Sequence, residues 1–401
     1  MRSELKMRNR ILSVIAAATC LGLTAAADTI PEKLSRPVEW RVGAEASSAG
    51  VLITNSFLRG DNSLGKKISS TFGGVLRADF SFNPATREGT LYPGLYQGVG
   101  LGMSGYSPNG LLGTPVSAYV YQGAPIYHFS DRLSLGYEWQ FGAAFGWMHY
   151  NKETAEDNVA IGSPVTAHMG IFFKFNYRLS DRWGIFFGVG ANHYSNGNTS
   201  YPNRGVNTVG ALIGFAYVLN PQRAPKEAAN TIAYGAEGKR WIYDIMAFGA
   251  WRKRGLVVGY LEEGVMCPGK FGVLGLQFSP SYRINRYFAA GPSLDFQWDE
   301  SGGLRPYWVE GAYEEDIKFR RPSFGKQISL GLSAHAELIM PIFSVNIGLG
   351  YDFVNPKGDK AFYQSLTLKT FITKNVYINT GYRIGDFKDP QNLMLGIGVR
   401  L

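Results

Sequence analysis

The feature that most constrains this chain is a strict alternation of apolar residues with small or polar ones. Between Leu133 and Trp147 every second residue is apolar or aromatic, and the residues between them are Ser, Gly, Glu, Gln and Ala. The stretch 165–179 repeats the pattern, with His168 and Lys174 on its polar face. Successive side chains of a β-strand point to opposite faces, so both stretches predict strands with one apolar face.

Such strands fit two fold classes. In a soluble sandwich the apolar face is the core and the polar face meets water. In a transmembrane antiparallel β-barrel the apolar face meets lipid and the polar face fills the lumen. The long strands, the 50 glycines, the 14% aromatic content and the aromatic residues near both strand ends favour the barrel. The chain has no run of 18 apolar residues of the kind that predicts a helical span.

The N-terminus predicts export. Basic residues from Arg2 to Arg10 precede an apolar run, Ile11–Leu23, and three alanines. This order predicts a signal peptide over residues 1–27. The alternative is a lipoprotein signal peptide, in which Cys20 would be the lipidated cysteine.

The charge of the exported chain narrows its partners. Loss of residues 1–27 removes four basic residues and Glu4, so the formal net charge falls from +9 to +6. A basic exported chain suits an anionic lipid surface. Nucleic acid is not an expected partner, because the basic residues are scattered and the chain is exported. Cys267 is the one cysteine left, so no disulfide framework is expected.

The first half of the chain contains eight predicted strands, a number that can close a barrel. They span residues 38–47, 69–82, 94–104, 116–129, 132–147, 165–179, 182–195 and 205–219. Tight connections at Ser130-Asp131 and Ser180-Asp181 contrast with long, polar ones elsewhere. In outer-membrane barrels short turns face the periplasm and long loops face outward. We therefore expect the 196–204 loop at the outer leaflet.

The second half repeats the count after a break rich in proline, charge and small residues. Eight further strands are predicted at 240–251, 270–283, 286–297, 326–340, 342–352, 362–373, 375–384 and 392–401. Two tandem eight-stranded barrels are the preferred architecture, and one sixteen-stranded barrel is the alternative. The predicted division is a signal peptide at 1–27, a barrel at 28–222, a linker at 223–239 and a second barrel at 240–401.

The end of the seventh strand carries polar residues on its apolar face. The row from Trp183 to Ala191 continues into His193 and Ser195, which therefore should face outward. If the following loop is symmetrical about Ser200, antiparallel pairing sets His193 opposite Asn207. A nucleophile, a base and an orienting side chain would then share one patch at head-group level.

The motif HYSN, followed by a short loop, PN and an eighth strand, resembles the outer-membrane lipid A 3-O-deacylases. The resemblance is specific over residues 182–219, looser from about residue 38, and was not found over 240–401. It implies an eight-stranded barrel that hydrolyses an ester-linked acyl chain of lipopolysaccharide. No metal or cofactor is expected, because the five histidines show no spacing typical of zinc and the sequence has no Walker or dinucleotide fingerprint. The partners of that barrel would be lipid A and the surrounding outer-membrane lipids, and the oligomeric state is left open.

The resemblance also implies residue roles. Ser195 would be the nucleophile and His193 the general base. Asn203 would help to hold the oxyanion, and Asn196 would lie beside the site. The family has a glutamate where this chain has Asn207.

That departure leaves three alternatives. Asn207 can suffice by orienting the histidine, although an amide stabilises an imidazolium less than a carboxylate does. A carboxylate from the 148–164 loop can reach the histidine, namely that of Glu153, Glu156 or Asp157. The third alternative is an inactive site, which makes the chain a non-catalytic barrel that is structural, binds a ligand or conducts solutes. A second histidine, His335, shares the polar phase of its strand with Glu337, which predicts a lumen hydrogen-bond network.

Overall fold

The computed structural model describes residues 37–84, 86–221, 240–258, 263–267, 269–307, 318–356 and 358–401. The predicted signal peptide at 1–27 and the predicted linker at 223–239 lie outside the described residues. The chain divides into two compact units, one for each barrel. Among the described residues, no helix is long and apolar enough to cross a membrane.

The first unit is a closed antiparallel barrel of eight strands. Its strands are β1 Val38–Val51, β2 Ser70–Phe82, β3 Tyr96–Ser107, β4 Gly113–His128, β5 Leu133–Trp147, β6 Val165–Arg178, β7 Trp183–Ser195 and β8 Val206–Val218. Two short helices, α1 Ser56–Arg59 and α2 Arg87–Leu91, lie in its connections. Each strand pairs with the next, and β1 pairs with β8 from Arg41↔Val218 to Val51↔Thr208. This closure confirms the separate eight-stranded barrel and excludes the sixteen-stranded alternative.

The second unit is also a closed antiparallel barrel of eight strands. Its wall consists of β9 Trp241–Arg252, β12 Phe271–Arg283, β13 Phe288–Asp299, β16 Ile328–Ile339, β17 Phe343–Val354, β18 Phe362–Phe371, β19 Val376–Gly385 and β20 Asp389–Arg400. Two small hairpins extend from it, β10 Gly255–Val258 with β11 Glu263–Met266 and β14 Arg305–Tyr307 with β15 Lys318–Arg320. A single 3-10 turn, Phe324–Lys326, precedes β16. Pairing of β20 with β9 closes this barrel.

One strand boundary differs from the sequence prediction in a way that matters for the site. The sequence predicts that the first strand ends at residue 47 and that residues 48–68 form a long, polar connection. In the structure β1 continues to Val51, since these small residues pair with β2 on one side and β8 on the other. The Leu52 N–H then donates to the Asn207 carbonyl oxygen at 2.9 Å. The extension therefore fixes the backbone beside the predicted site.

The strands face as predicted for a transmembrane barrel. On β6 the residues Ile171, Phe173 and Phe175 are exposed on the outer wall, whereas His168 and Lys174 are buried in the lumen. The second barrel shows the same arrangement, with at least one exposed large apolar residue on each of its eight wall strands. A closed ring with an apolar exterior leaves no unpaired edge in hydrocarbon, which is the condition for a spanning sheet.

Each lumen contains a compact charge cluster. In the first barrel Glu138 accepts hydrogen bonds from Arg77 at 2.6 and 3.0 Å, from Lys174 at 2.9 Å and from Tyr96 at 2.9 Å. Arg77 also contacts Glu45 at 2.5 Å, so two cations meet two carboxylates. Buried charges persist only when they are paired in this way.

The second lumen contains an equivalent cluster. Lys369 contacts Asp244 at 2.6 Å and Glu337 at 2.7 Å, and Arg400 contacts the same two carboxylates. The Ser281 hydroxyl lies 2.8 Å from His335 Nε2. These contacts confirm the lumen network predicted for His335 and Glu337.

The first barrel ends in a hydrophobic cap where its long connections meet. Side chains from α1 and from the 108–112 and 148–164 loops pack with inward-facing residues of the strand ends. The buried members include Phe57, Leu58, Ile68, Leu112, Trp147, Ile161, Tyr194 and Val206. Two of them, Tyr194 and Val206, flank predicted site residues in sequence. The cap therefore fixes the strand ends that carry the site.

Candidate functional site

The predicted site lies where β7 and β8 leave the barrel wall at its capped end. The pairing register sets His193 directly opposite Asn207. The outward residues of β7 are exposed from Trp183 to Val189, and His193 and Ser195 continue that row in partly exposed positions. The structure therefore confirms the predicted facing and the predicted pairing.

The alternation between faces is held by Tyr194. This residue is buried in the cap, where its ring packs edge-on against Trp147 at 5.2 Å and against His168 at 5.0 Å between centroids. Because neighbouring side chains on a strand point to opposite faces, anchoring Tyr194 inward turns His193 and Ser195 outward. Val206, fully buried, does the same for Asn207 on β8.

The Asn207 side chain orients the imidazole. Its Oδ1 lies 2.7 Å from His193 Nδ1. Because an amide oxygen can only accept, Nδ1 carries the hydrogen and donates a hydrogen bond to Asn207. Nε2 then keeps its lone pair and can accept a proton. Among the described residues no carboxylate pairs with His193: Glu153 and Glu156 are exposed on their loop, and Asp157 is not hydrogen-bonded to the imidazole.

The side chains of His193 and Ser195 both lie close to Gly205. A methyl group on its Cα would lie 3.2 Å from His193 Cε1 and 3.7 Å from Ser195 Cβ. The same methyl would lie 3.0 Å from the Tyr194 carbonyl oxygen, and the backbone has φ of +71°. Glycine tolerates this left-handed conformation without steric cost. Sequence reasoning missed Gly205, because a residue without functional groups carries no chemical signal.

The imidazole and the Ser195 hydroxyl are not hydrogen-bonded to each other among the described side-chain contacts. Catalytic hydrogen bonds are often long or misaligned before substrate binds. The two side chains nevertheless occupy the same face and the same side of Gly205. The arrangement supplies a hydroxyl, an oriented base and access from the outer wall.

The two loop asparagines have different roles. The Asn203 Oδ1 accepts a hydrogen bond from the Asn196 backbone N–H at 3.0 Å, which leaves the Asn203 Nδ2 as a donor at the rim of the site. Asn196 is buried, and its Nδ2 donates to the Ser200 carbonyl oxygen at 2.9 Å. This bond therefore leaves the Asn203 amide nitrogen unused, whereas the bonds of Asn196 organise the loop.

The 148–164 loop is hydrogen-bonded to the turn that precedes β8. Arg204 N donates to the Val159 carbonyl oxygen at 3.2 Å, and Gly205 N donates to that of Ala160 at 2.9 Å. The 148–164 loop thus contributes backbone acceptors to the site rather than the carboxylate considered from the sequence. Among the described residues, no group of three or more histidine, cysteine, aspartate or glutamate side chains could hold a metal ion.

Comparison with protein families matches both barrels. The model described as lipid A 3-O-deacylase matches residues 89–216, and the model described as acyloxyacyl hydrolase, C-terminal domain, matches residues 241–401. The first match confirms the resemblance seen in the sequence. The second extends it to the half of the chain for which no resemblance was expected. Comparison with curated proteins finds no significant match.

Solved structures show similar barrels at low identity. The crystal structure of the outer membrane enzyme PagL is 17% identical, covers 43% of this chain and 97% of its own, and has a TM-score of 0.31. A de novo designed transmembrane β-barrel is 16% identical, covers 47% and 100%, and has a TM-score of 0.21. An outer membrane channel from Pseudomonas putida F1 is 11% identical, covers 93% and 98%, and has a TM-score of 0.22. The fold assignment rests on the strand pairing itself.

Proposed function

We propose that this chain is an outer-membrane serine esterase that removes an ester-linked acyl chain from lipid A. Its first barrel matches the lipid A 3-O-deacylase model, and its second barrel matches the model of the acyloxyacyl hydrolase C-terminal domain. The observation that carries the proposal is the outward patch of Ser195, His193 and Asn207, with the Nδ1 of the imidazole 2.7 Å from the amide oxygen. Such a patch on a membrane barrel meets an ester that lies just below the lipid head groups. The family match to residues 89–216 supports the same reaction.

The reaction begins with the serine. As the Ser195 Oγ attacks the ester carbonyl carbon, its proton passes to His193 Nε2, and Asn207 holds the imidazolium through Nδ1. The carbonyl oxygen becomes an oxyanion, for which the Asn203 Nδ2 is the available side-chain donor. Collapse breaks the bond to the sugar oxygen, which takes the proton from His193 and leaves the acyl group on Ser195.

Water completes the cycle. It gives a proton to His193 Nε2 while its oxygen attacks the acyl carbon, and the second collapse returns that proton to the Ser195 Oγ. A free fatty acid and the original serine result. The acyl chain can lie against the outer wall beside the site, where Met169 pairs with His193 and Val209 pairs with Ala191 on the apolar face.

The proposed arrangement in the cell follows from the loop lengths. The signal peptide at 1–27 is removed, residues 28–222 form the catalytic unit, residues 223–239 connect it to the second barrel, and the 196–204 loop lies at the outer leaflet. Epitope tags inserted at Ser200 and at Lys226 test this topology on intact cells. Surface labelling at Ser200 alone is expected, and labelling at Lys226 alone would reverse the orientation.

A non-catalytic barrel is the second candidate, and Asn207 in place of the family glutamate favours it. For conduction of solutes the two lumens differ: a cavity of about 790 Å³, lined by Arg77, Asp79 and Lys174 among others, lies in the first barrel, whereas the space beside Asp295 in the second barrel is about 10 Å³. Charge clusters narrow both lumens. Mass spectrometry of lipid A from cells that express the wild type or Ser195→Ala separates the candidates. The esterase predicts loss of one acyl chain in the wild type alone. Identical lipid A from both, with both proteins inserted, would leave the non-catalytic barrel.

A further inference from the structure

The charge beside the site is unusual for a serine hydrolase. The nucleophile, the orienting residue and the oxyanion donor carry no formal charge, because Asn207 stands where the family has a carboxylate. Within the 196–205 loop the single charged residue is Arg204. The formal charge of this loop is therefore +1, whereas the adjoining 148–164 loop carries Lys152 together with Glu153, Glu156 and Asp157.

Arg204 is within reach of the reacting atoms. A methyl group on the adjacent Gly205 would lie 3.7 Å from Ser195 Cβ, and consecutive Cα atoms are about 3.8 Å apart, which places Arg204 Cα within about 9 Å of Ser195 Cβ. An extended arginine side chain covers most of that distance. A ligand bound at Ser195 can therefore contact the guanidinium.

The backbone of Arg204 is fixed while its side chain is exposed. The Arg204 and Gly205 N–H groups donate to the Val159 and Ala160 carbonyl oxygens, which holds the peptide on each side of the Arg204 Cα. In the described part of the chain the guanidinium forms no ion pair or hydrogen bond, and the residue is exposed. The buried arginines Arg77 and Arg252 contrast with it, since each contacts two carboxylates.

We propose that Arg204 binds a phosphate group of the glycolipid and makes the esterase selective for a phosphorylated substrate. The proposal rests on the esterase function, and it names the chemistry that the site recognises on the sugar. A guanidinium binds a phosphate through two parallel hydrogen bonds, which fixes orientation as well as affinity. A neutral Asn207 favours this binding, because a carboxylate at that position would repel the phosphate.

The test compares lipid A with the same lipid A after removal of its phosphates. The full-length protein in detergent micelles should show a kcat/KM about tenfold higher on the phosphorylated form. Arg204→Gln should abolish this preference by raising KM for the phosphorylated form. Arg204→Lys should keep part of it, because lysine is a point charge without the bidentate fork. Arg59→Gln, at an exposed arginine on another loop of the same end, is the matched control and should keep the full preference.

Binding separates this proposal from the esterase function. In a Ser195→Ala background, phosphorylated lipid A should bind about tenfold more tightly than dephosphorylated lipid A, and Arg204→Gln should remove the difference. This outcome supports phosphate recognition even if no variant hydrolyses lipid A, in which case the esterase proposal alone fails. Equal binding of the two lipids, or a preference that survives Arg204→Gln, would overturn the role of Arg204. An equal loss with both lipids would identify it as structural only.

Discussion

Each barrel contains a serine and a histidine that lie close together, and the two pairs differ in the face of the wall they occupy. In the second barrel Ser281 is hydrogen-bonded to His335 at 2.8 Å, yet the residues are only 1% and 6% exposed. In the first barrel Ser195 and His193 are not hydrogen-bonded, but both are partly exposed on the outer wall. The comparison teaches that access and an orienting partner, rather than a short contact, distinguish a candidate catalytic pair from a structural one.

The largest expected effect tests that distinction directly. Ser195→Ala should lower acyl release at least about a thousandfold, because no other group can form the acyl intermediate. Ser281→Ala should leave the rate unchanged, since its hydroxyl is sealed in a lumen. Both rates are measured as fatty acid released from lipid A in micelles. A large loss in the Ser281 variant with an unaffected Ser195 variant would invert the comparison.

The charge clusters allow a test of stability against activity. Lys369→Met leaves Arg400 alone with two buried carboxylates and should destabilise the second barrel by about 3–5 kcal/mol. Acyl release per folded molecule should not change, because the site belongs to the first barrel. Urea unfolding followed by tryptophan fluorescence gives the stability, and Lys388→Met at an exposed turn is the control. Equal unfolding of the two variants would show that the cluster contributes little.

Gly205 permits a test with a matched glycine in the second barrel. Gly205→Ala strains a backbone at φ of +71° and presses a methyl against His193 Cε1, so kcat should fall by up to about a hundredfold. Gly269 has φ of +91° but open space around it, so Gly269→Ala carries similar strain without a contact. Its kcat should equal that of the wild type. Similar kcat values for the two variants would argue that the space beside His193 is not used.

The smallest expected effect concerns the orienting residue, which the second pair lacks. His335 Nδ1 has no hydrogen-bond partner among the described residues, whereas His193 Nδ1 has Asn207. Asn207→Glu should raise kcat about tenfold, because a carboxylate stabilises the imidazolium formed during attack. Asn207→Ala should lower kcat, since the tautomer is no longer fixed. A lower kcat for Asn207→Glu than for the wild type would show that the site works better with the neutral amide of Asn207 than with a carboxylate.

Much of this architecture could be predicted from the sequence, for a physical reason. In a spanning barrel both lipid and lumen impose their polarity on alternate residues, so the strand count and the outward phase of His193 and Ser195 follow from the alternation. The pairing of His193 with Asn207 followed from a symmetrical loop. The closure of the strands into two barrels rather than one did not follow from the sequence, because a strand count does not show which edge strands pair with each other.

What could not be predicted depends on tertiary contacts. The extension of β1 through Ser48, Ala49 and Gly50 exists only because neighbouring strands supply hydrogen-bond partners. The hydrogen bonds of the 148–164 loop to the turn before β8 are accepted by backbone carbonyl groups, which any residue carries. A proline, asparagine and glycine between two strands, as in PNRG, indicate a turn but not the close approach of Gly205 to the imidazole.

Because Ser195 faces outward, the substrate concentration that matters for the proposed reaction is the concentration of lipid A within the membrane. A lipid reaches a site on the barrel wall by lateral diffusion within its own leaflet and never needs to leave the membrane. The rate should therefore follow the mole fraction of lipid A in the surface rather than its molarity in the suspension. Mixing an inert lipid into the vesicles slows such an enzyme, whereas adding buffer does not. Its turnover then depends on the surface density of its substrate, that is, on the number of lipid A molecules per unit of membrane area.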